Sequence, residues 1–258
     1  MKTIQKITLG LLTVGAFTAS GFAAQEIELD VDAGSATHSG LITATLAKKT
    51  GAGILVLSNA ANAINVLEIQ QGQVNVSATG NFGGTVSYTT NPSNILNMTA
   101  AGVNVPALTM VEAGILDCNG NATNLAGVPA GAGLLSVSGA GILTVAVDAN
   151  ASTTPMNINA DATVAVGAAV GSVASPKLPA SAIGVSGILQ ITEAAAGCVP
   201  GNTTVASAGV VAVNGGLVVP GHDSASDVFG NLLFQTGSIL RLGDGSSWAR
   251  NITVGAGI

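Results

Sequence analysis

Charge and aromatic rings are both scarce in this chain. Only 8% of its 258 residues are Asp, Glu, Lys or Arg, and only 3% are Phe, Trp or Tyr. A compact globule would struggle for solubility behind so few charges. An elongated stack meets that difficulty, because small Ala, Val and Gly side chains fill thin internal layers while neutral Ser, Thr and Asn face water. Helical periodicity is wanting too: runs such as Glu193-Ala194-Ala195-Ala196 are too short and too weakly amphipathic to make a bundle. Basic residues number seven against thirteen acidic ones, a net charge of −6. No basic patch can be assembled from them, which argues against nucleic acid or an anionic lipid surface as partner.

Long uncharged stretches do occur, and residues 125–147 reach the length of a membrane span. Pro129, Gly131, Gly133, Gly139 and Gly141 cut that run into strand-sized pieces. A transmembrane β-barrel needs aromatic girdles at both interfaces, and so few rings cannot furnish them. The mature segment is therefore expected not to insert into a membrane directly.

Two cysteines, Cys118 and Cys198, fit an oxidising compartment. Eighty positions separate them, several turns of a repeat array, whereas a disulfide needs Cα atoms within about 7 Å. Direct stacking is disfavoured, and whether they bond is left open. Two histidines, His38 and His222, are too few and too far apart to indicate a metal site. His222-Asp223-Ser224 has the residue types of a hydrolase triad, but sequence neighbours rarely point at one another, and the turn reading is preferred.

Residues 1–23 have the anatomy of a secretory signal peptide: Lys2 and Lys6, an apolar core over 7–17, and small residues at Gly21 and Ala23 before the cut. Residues 24–258 then read as one domain. From Glu26 the chain alternates, with Ile27, Leu29 and Val31 apolar and Glu28, Asp30 and Asp32 acidic, a strand with one dry face and one wet. Asp30 and Asp32 are read as a solvated face rather than a calcium site, which needs six or more oxygen ligands. Gly51 and Gly53 suit positive φ or close backbone approach. Leu55, Leu57, Val74 and Val76 are expected to point inward. A small-Gly-Ile-Leu strand start recurs at Gly53-Ile54-Leu55, Gly114-Ile115-Leu116, Gly141-Ile142-Leu143 and Gly187-Ile188-Leu189. Residues 166–187, rich in Gly, Ala, Ser and Pro, are either a long loop or a joint, with one continuous array preferred.

The unit Lys48-Lys49-Thr50-Gly51-Ala52-Gly53-Ile54-Leu55-Val56-Leu57-Ser58-Asn59, with Ile69-Gln70-Gln71-Gly72-Gln73-Val74-Asn75-Val76 after it, resembles the repeat strand of bacterial autotransporter passenger regions. The resemblance covers about residues 40–77. A second segment, 215–242, is similar to the stretch that closes such passengers: Pro220-Gly221 with a following Ser224, then Gly230-Asn231 before a strand and Gly237-Ser238 before another. It implies an all-β fold, a right-handed parallel β-helix (β-solenoid) in one elongated domain, and a place at the cell surface or outside the cell. Such passengers end in an outer-membrane β-barrel, but this sequence stops at Ile258, and its uncapped, strand-like end favours a piece of a longer product.

The chemical inventory is thin. Lys48, Lys49, Lys177, Arg241 and Arg250 are scattered, and the nearest carboxylate pairs, Asp30 with Asp32 and Asp223 with Asp227, are read as solvated strand face and turn. No catalytic, cofactor-binding or metal-ligating residue is assigned. The expectation is a non-enzymatic spacer or adhesin-like passenger that meets a host-surface or glycan ligand and an outer-membrane barrel of its own or of a partner. A polysaccharide-active β-helix (lyase or hydrolase) and a self-assembling extracellular protein are the alternatives.

Overall fold

A computed structural model describes residues 4–8, 22–78, 82, 84–166, 176–192, 198–219, 228–230, 232–250, 252 and 254–255. Among the described residues there are strands and turns and no helix. None, therefore, is a helix long and apolar enough to cross a membrane.

Strand pairing is parallel throughout. Three large sheets of eleven, seven and six strands hold the chain, with one two-stranded pair near the end. One turn shows how they are threaded. Gly114–Asp117 lies in the eleven-stranded sheet and Ala122–Leu125 in the seven-stranded one. Ala130 then bridges to Thr109 of the six-stranded sheet, and Leu135–Ser138 returns to the first, stacked on Gly114–Asp117. The molecule is a parallel β-solenoid in a single elongated domain. Facing residues are 19 (Ser35 to Ile54) to 22 (Gln73 to Ile95) positions apart in the early turns. The interval stretches to 27 (Met156 to Ile183) and 29 (Thr203 to Leu232) where loops are inserted.

Period-two alternation builds the core. Leu55, Val74, Leu96, Leu116, Val137, Ile158, Val185 and Val205 face one another in succession down the eleven-stranded sheet, all buried. Each such side chain contributes about 1.5–3 kcal/mol through burial, and the strand ladders satisfy the backbone between layers. In the strand Ile42–Thr50 the alternation slips at Thr45-Leu46, where two successive side chains point outward and one strand turns from one face to the next. Pro106 marks the same corner three turns later. It separates Val103–Val105 in the seven-stranded sheet from Ala107–Met110 in the six-stranded one, and its missing N–H ends the ladder there.

The inward assignments of Ile27, Leu29, Val31, Leu55, Leu57, Val74 and Val76 hold, each at most 1% exposed. Gly51 has φ +72°, and a Cβ there would lie 2.4 Å from the Val31 carbonyl oxygen. At all four Gly-Ile-Leu strand starts the glycine is buried, the isoleucine faces outward and the leucine is fully buried. They do not mark one face, however: those at Gly53 and Gly114 open strands of the eleven-stranded sheet, those at Gly141 and Gly187 strands of the seven-stranded sheet. The tripeptide encodes a corner and an inward leucine, which any side of the solenoid can use.

Within the 166–187 stretch, residues 167–175 lie outside the described set. On either side of it the sheets continue, Thr163–Val166 facing Ile188–Ile191 and Met156–Ile158 facing Ile183–Val185. Residues 220–227, where a Pro-Gly turn is expected and which include His222, Asp223, Ser224 and Asp227, also lie outside the described residues, as do most of residues 1–23. Ile4–Thr8 is described, as a strand paired with Phe22–Asp30.

Candidate functional site: the charged face of the first turns

Ionisable side chains gather on the outer face of the six-stranded sheet near the N-terminal end. Parallel register stacks Glu28, Lys48 and Glu68 in one outward column that runs on to the buried Ser87, with Lys6 as the Cα partner of Glu28 on the preceding strand. Charges thus alternate down the column, the arrangement that cross-strand pairs favour. Lys48 Nζ donates to Glu26 Oε1 as an ion pair. That hydrogen bond is the main cause that lifts the lysine pKa above its usual value, with the charges of Glu26, Glu68 and Glu28 adding to it and desolvation opposing. Thr50 Oγ1 donates to Glu28 Oε1 at 3.2 Å. Gln70 Nε2 and Thr89 Oγ1 donate to Glu68 Oε1 at 2.8 and 3.1 Å. These three carboxylates are therefore engaged with neighbours, which suits a braced surface better than proton transfer.

Lys49, one residue on, points the other way. It occupies an inward column between Leu29 and Ile69 and is fully buried. Its ammonium donates to the carbonyls of Thr50 (2.6 Å), Gly51 (2.6 Å) and Gln71 (3.1 Å), all at the corner leading into the eleven-stranded sheet. Burial pushes its pKa down to about 8, against the opposing charges of Asp30 and Asp32. The lysine acts as a tethered cation that gathers carbonyls from two successive turns.

The other residues singled out from sequence are dispersed. His38 is buried in the first strand of the eleven-stranded sheet, and desolvation lowers its pKa. Cys118 and Cys198 are both buried thiols not joined to one another. Burial, with Asp117 beside it, pushes the Cys118 thiol up to about 11 against the Thr123 hydroxyl, so it is a poor nucleophile. Lys177 Nζ lies 3.6 Å from Asp148 Oδ2. Arg241 is exposed, whereas Arg250 is buried and donates to the carbonyls of Phe229 and Gly230. Around it Phe229, Phe234 and Trp248 cluster, Trp248 at 5.7 and 6.5 Å from the two phenyl centroids. Beside this cluster a cavity of about 320 Å³ is lined by Phe234, Thr236, Ser238, Leu240 and Ile252, among others. Among the described residues no three His, Cys, Asp or Glu are placed to hold a metal.

Sequence reading missed the buried state of Lys49 and Arg250. A signal for Lys49 was present: counting twenty positions back and forward places it in phase with Leu29 and Ile69, both apolar. Compared with protein-family models, with curated proteins and with solved structures, the chain finds no match in any of the three.

Proposed function

We propose that the chain is an exported structural rod of the autotransporter-passenger kind, serving at the cell surface as a spacer or adhesive support. One observation carries the mechanical part of this reading. The eleven-stranded ladder runs strand on strand from Ser35–His38 to Val254–Gly255 with the seven-stranded ladder beside it, and the outer faces carry braced ion pairs and neutral amides. The eleven-stranded sheet shows the same economy: Asn97 Nδ2 donates to Asn75 Oδ1, which also accepts from Gln73 Nε2. Asn124 Nδ2 repeats the device on Asn104 Oδ1 in the seven-stranded sheet. Such ladders tie turn to turn and favour stiffness over chemistry.

Export rests on the leader-like residues 1–23 and on the resemblances at 40–77 and 215–242. The test is expression of the full sequence in a Gram-negative host, followed by fractionation and mass measurement. A product beginning at Ala24 outside the inner membrane is expected; an unprocessed cytoplasmic product overturns export. Binding to host-surface glycans no stronger than an inert control leaves the spacer role alone.

Self-assembly is a second reading, favoured by a specific feature. Leu233, Ile239, Leu242 and Ile252 are all exposed around the last turns. A sedimentation coefficient that rises with concentration, and falls back in Leu242→Asp, supports end-to-end contact there. Constant size over that range removes this reading.

A further inference from the structure

His38 breaks the chemistry of its own column. It faces Leu57 in the next turn, which faces Val76 and then Met98, all three buried aliphatic or thioether side chains. The imidazole is 2% exposed, and its Nε2 has no hydrogen-bond partner. Leaving a buried ring nitrogen unmatched is costly even when the ring is neutral, and an imidazolium there would be a bare charge in hydrocarbon. The strand that carries it, Ser35–His38, has one described neighbour in its sheet, Ile54–Leu57, whereas the strands behind it have two. A few hydrogen bonds close the seam on either side: Ile54 N to Gly34 O, Ser58 N to His38 O, and Ser58 Oγ to His38 O.

We propose that the Ser35–His38 strand is an acid-released latch: protonation of His38 detaches the strand and uncovers the edge of Ile54–Leu57 with its inward Leu55 and Leu57. Among the described residues no other charge takes over the role of trigger. Ile54–Leu57 and the turn Ser39-Gly40-Leu41 bring no titratable group. Across the core, Glu26, Glu28, Asp30 and Lys48 belong to the outward set of the six-stranded sheet, and the Lys49 ammonium is held at another corner by the Thr50, Gly51 and Gln71 carbonyls. The sign follows from burial. A native imidazole harder to protonate than the open-chain one leaves the latch fully stable above about pH 6.5. Stability is then lost as pH falls from there through the native pKa.

The experiment is hydrogen exchange on the full chain between pH 7.5 and 5, corrected for intrinsic rates, read at the Ile54 and Ser58 amides. Protection there is expected to fall roughly tenfold for each unit by which the native pKa lies below the open-chain value, while the Leu135–Ser138 amides stay unchanged. In His38→Leu, which continues the aliphatic column, the loss should vanish. An equal loss in His38→Leu, or none in the wild type, overturns the proposal. Should that variant not fold, NMR titration of the imidazole in His222→Gln decides: a His38 pKa at or above about 6.5 overturns it.

Discussion

Lys49 puts an ammonium where Leu29 and Ile69, its neighbours in the column, put aliphatic carbon. The position is tolerable because three carbonyls turn toward it. Lys49→Met keeps most of the stem and removes the donors, leaving those carbonyls unmatched, so a loss of about 1–3 kcal/mol is expected in denaturant unfolding. The pH dependence has the opposite sense to a surface ion pair. With the native pKa near 8 and the free value 10.5, the unfolded chain binds the extra proton between those limits. Stability should therefore climb as pH rises through that window, and the climb should be absent in Lys49→Met. A second residue-scale test concerns Gly114, where a Cβ would sit 2.2 Å from Tyr88 Cδ1. The ring lies across that glycine with its hydroxyl donating to Ile115 O at 3.0 Å. Gly114→Ala should cost about 1–3 kcal/mol by overpacking. Much of that loss should return when Tyr88→Leu is made with it, a coupling that a double-mutant cycle measures.

At the scale of the strand, the four Gly-Ile-Leu starts separate two neighbouring apolar residues by role. Leu143 is fully buried and Ile142 is 40% exposed, though the sequence offers no contrast in hydrophobicity between them. Leu143→Ala should cost about 2–5 kcal/mol by cavity formation, and Ile142→Ala less than about 1 kcal/mol. Comparable losses at the two sites would reverse the assigned register. Strands of this kind were legible because alternation, a buried glycine at the corner and a twenty-residue interval all agree at residues 46–77. What stayed hidden was which side of the solenoid a strand joins. That depends on the length of the preceding corner, and corners absorb their differences in single residues such as Thr45 or Pro106, which leave no periodic mark. The charged face escaped for a related reason. Glu28, Lys48 and Glu68 are twenty residues apart and look scattered along the chain until the parallel register stacks them. Lys49 was hidden more thoroughly, since a lysine beside another lysine in a glycine turn looks like solvated chain.

Taken whole, the molecule is a one-dimensional stack in which each turn touches the turn before and the turn after. Eleven strands at about 4.8 Å spacing make the longest sheet roughly 48 Å tall. Both ends carry a buried cation on backbone carbonyls, Lys49 near the first turns and Arg250 near the last. Energetics in such a stack are sums of nearest-neighbour terms, and a local defect has no shortcut to the far end. Lys49→Met should therefore lower amide protection across Ile42–Thr50, Ile54–Leu57 and Ala63–Ile69 while leaving Thr203–Val205 and Val210–Val213 as in the wild type, measured by native-state hydrogen exchange. If protection instead drops equally in both regions, the solenoid opens as a single cooperative unit. The near-uniform aliphatic columns favour the graded outcome, because each described interface resembles the next. A rod of this kind tolerates loosening at one end without losing its length, the mechanical property a surface spacer needs.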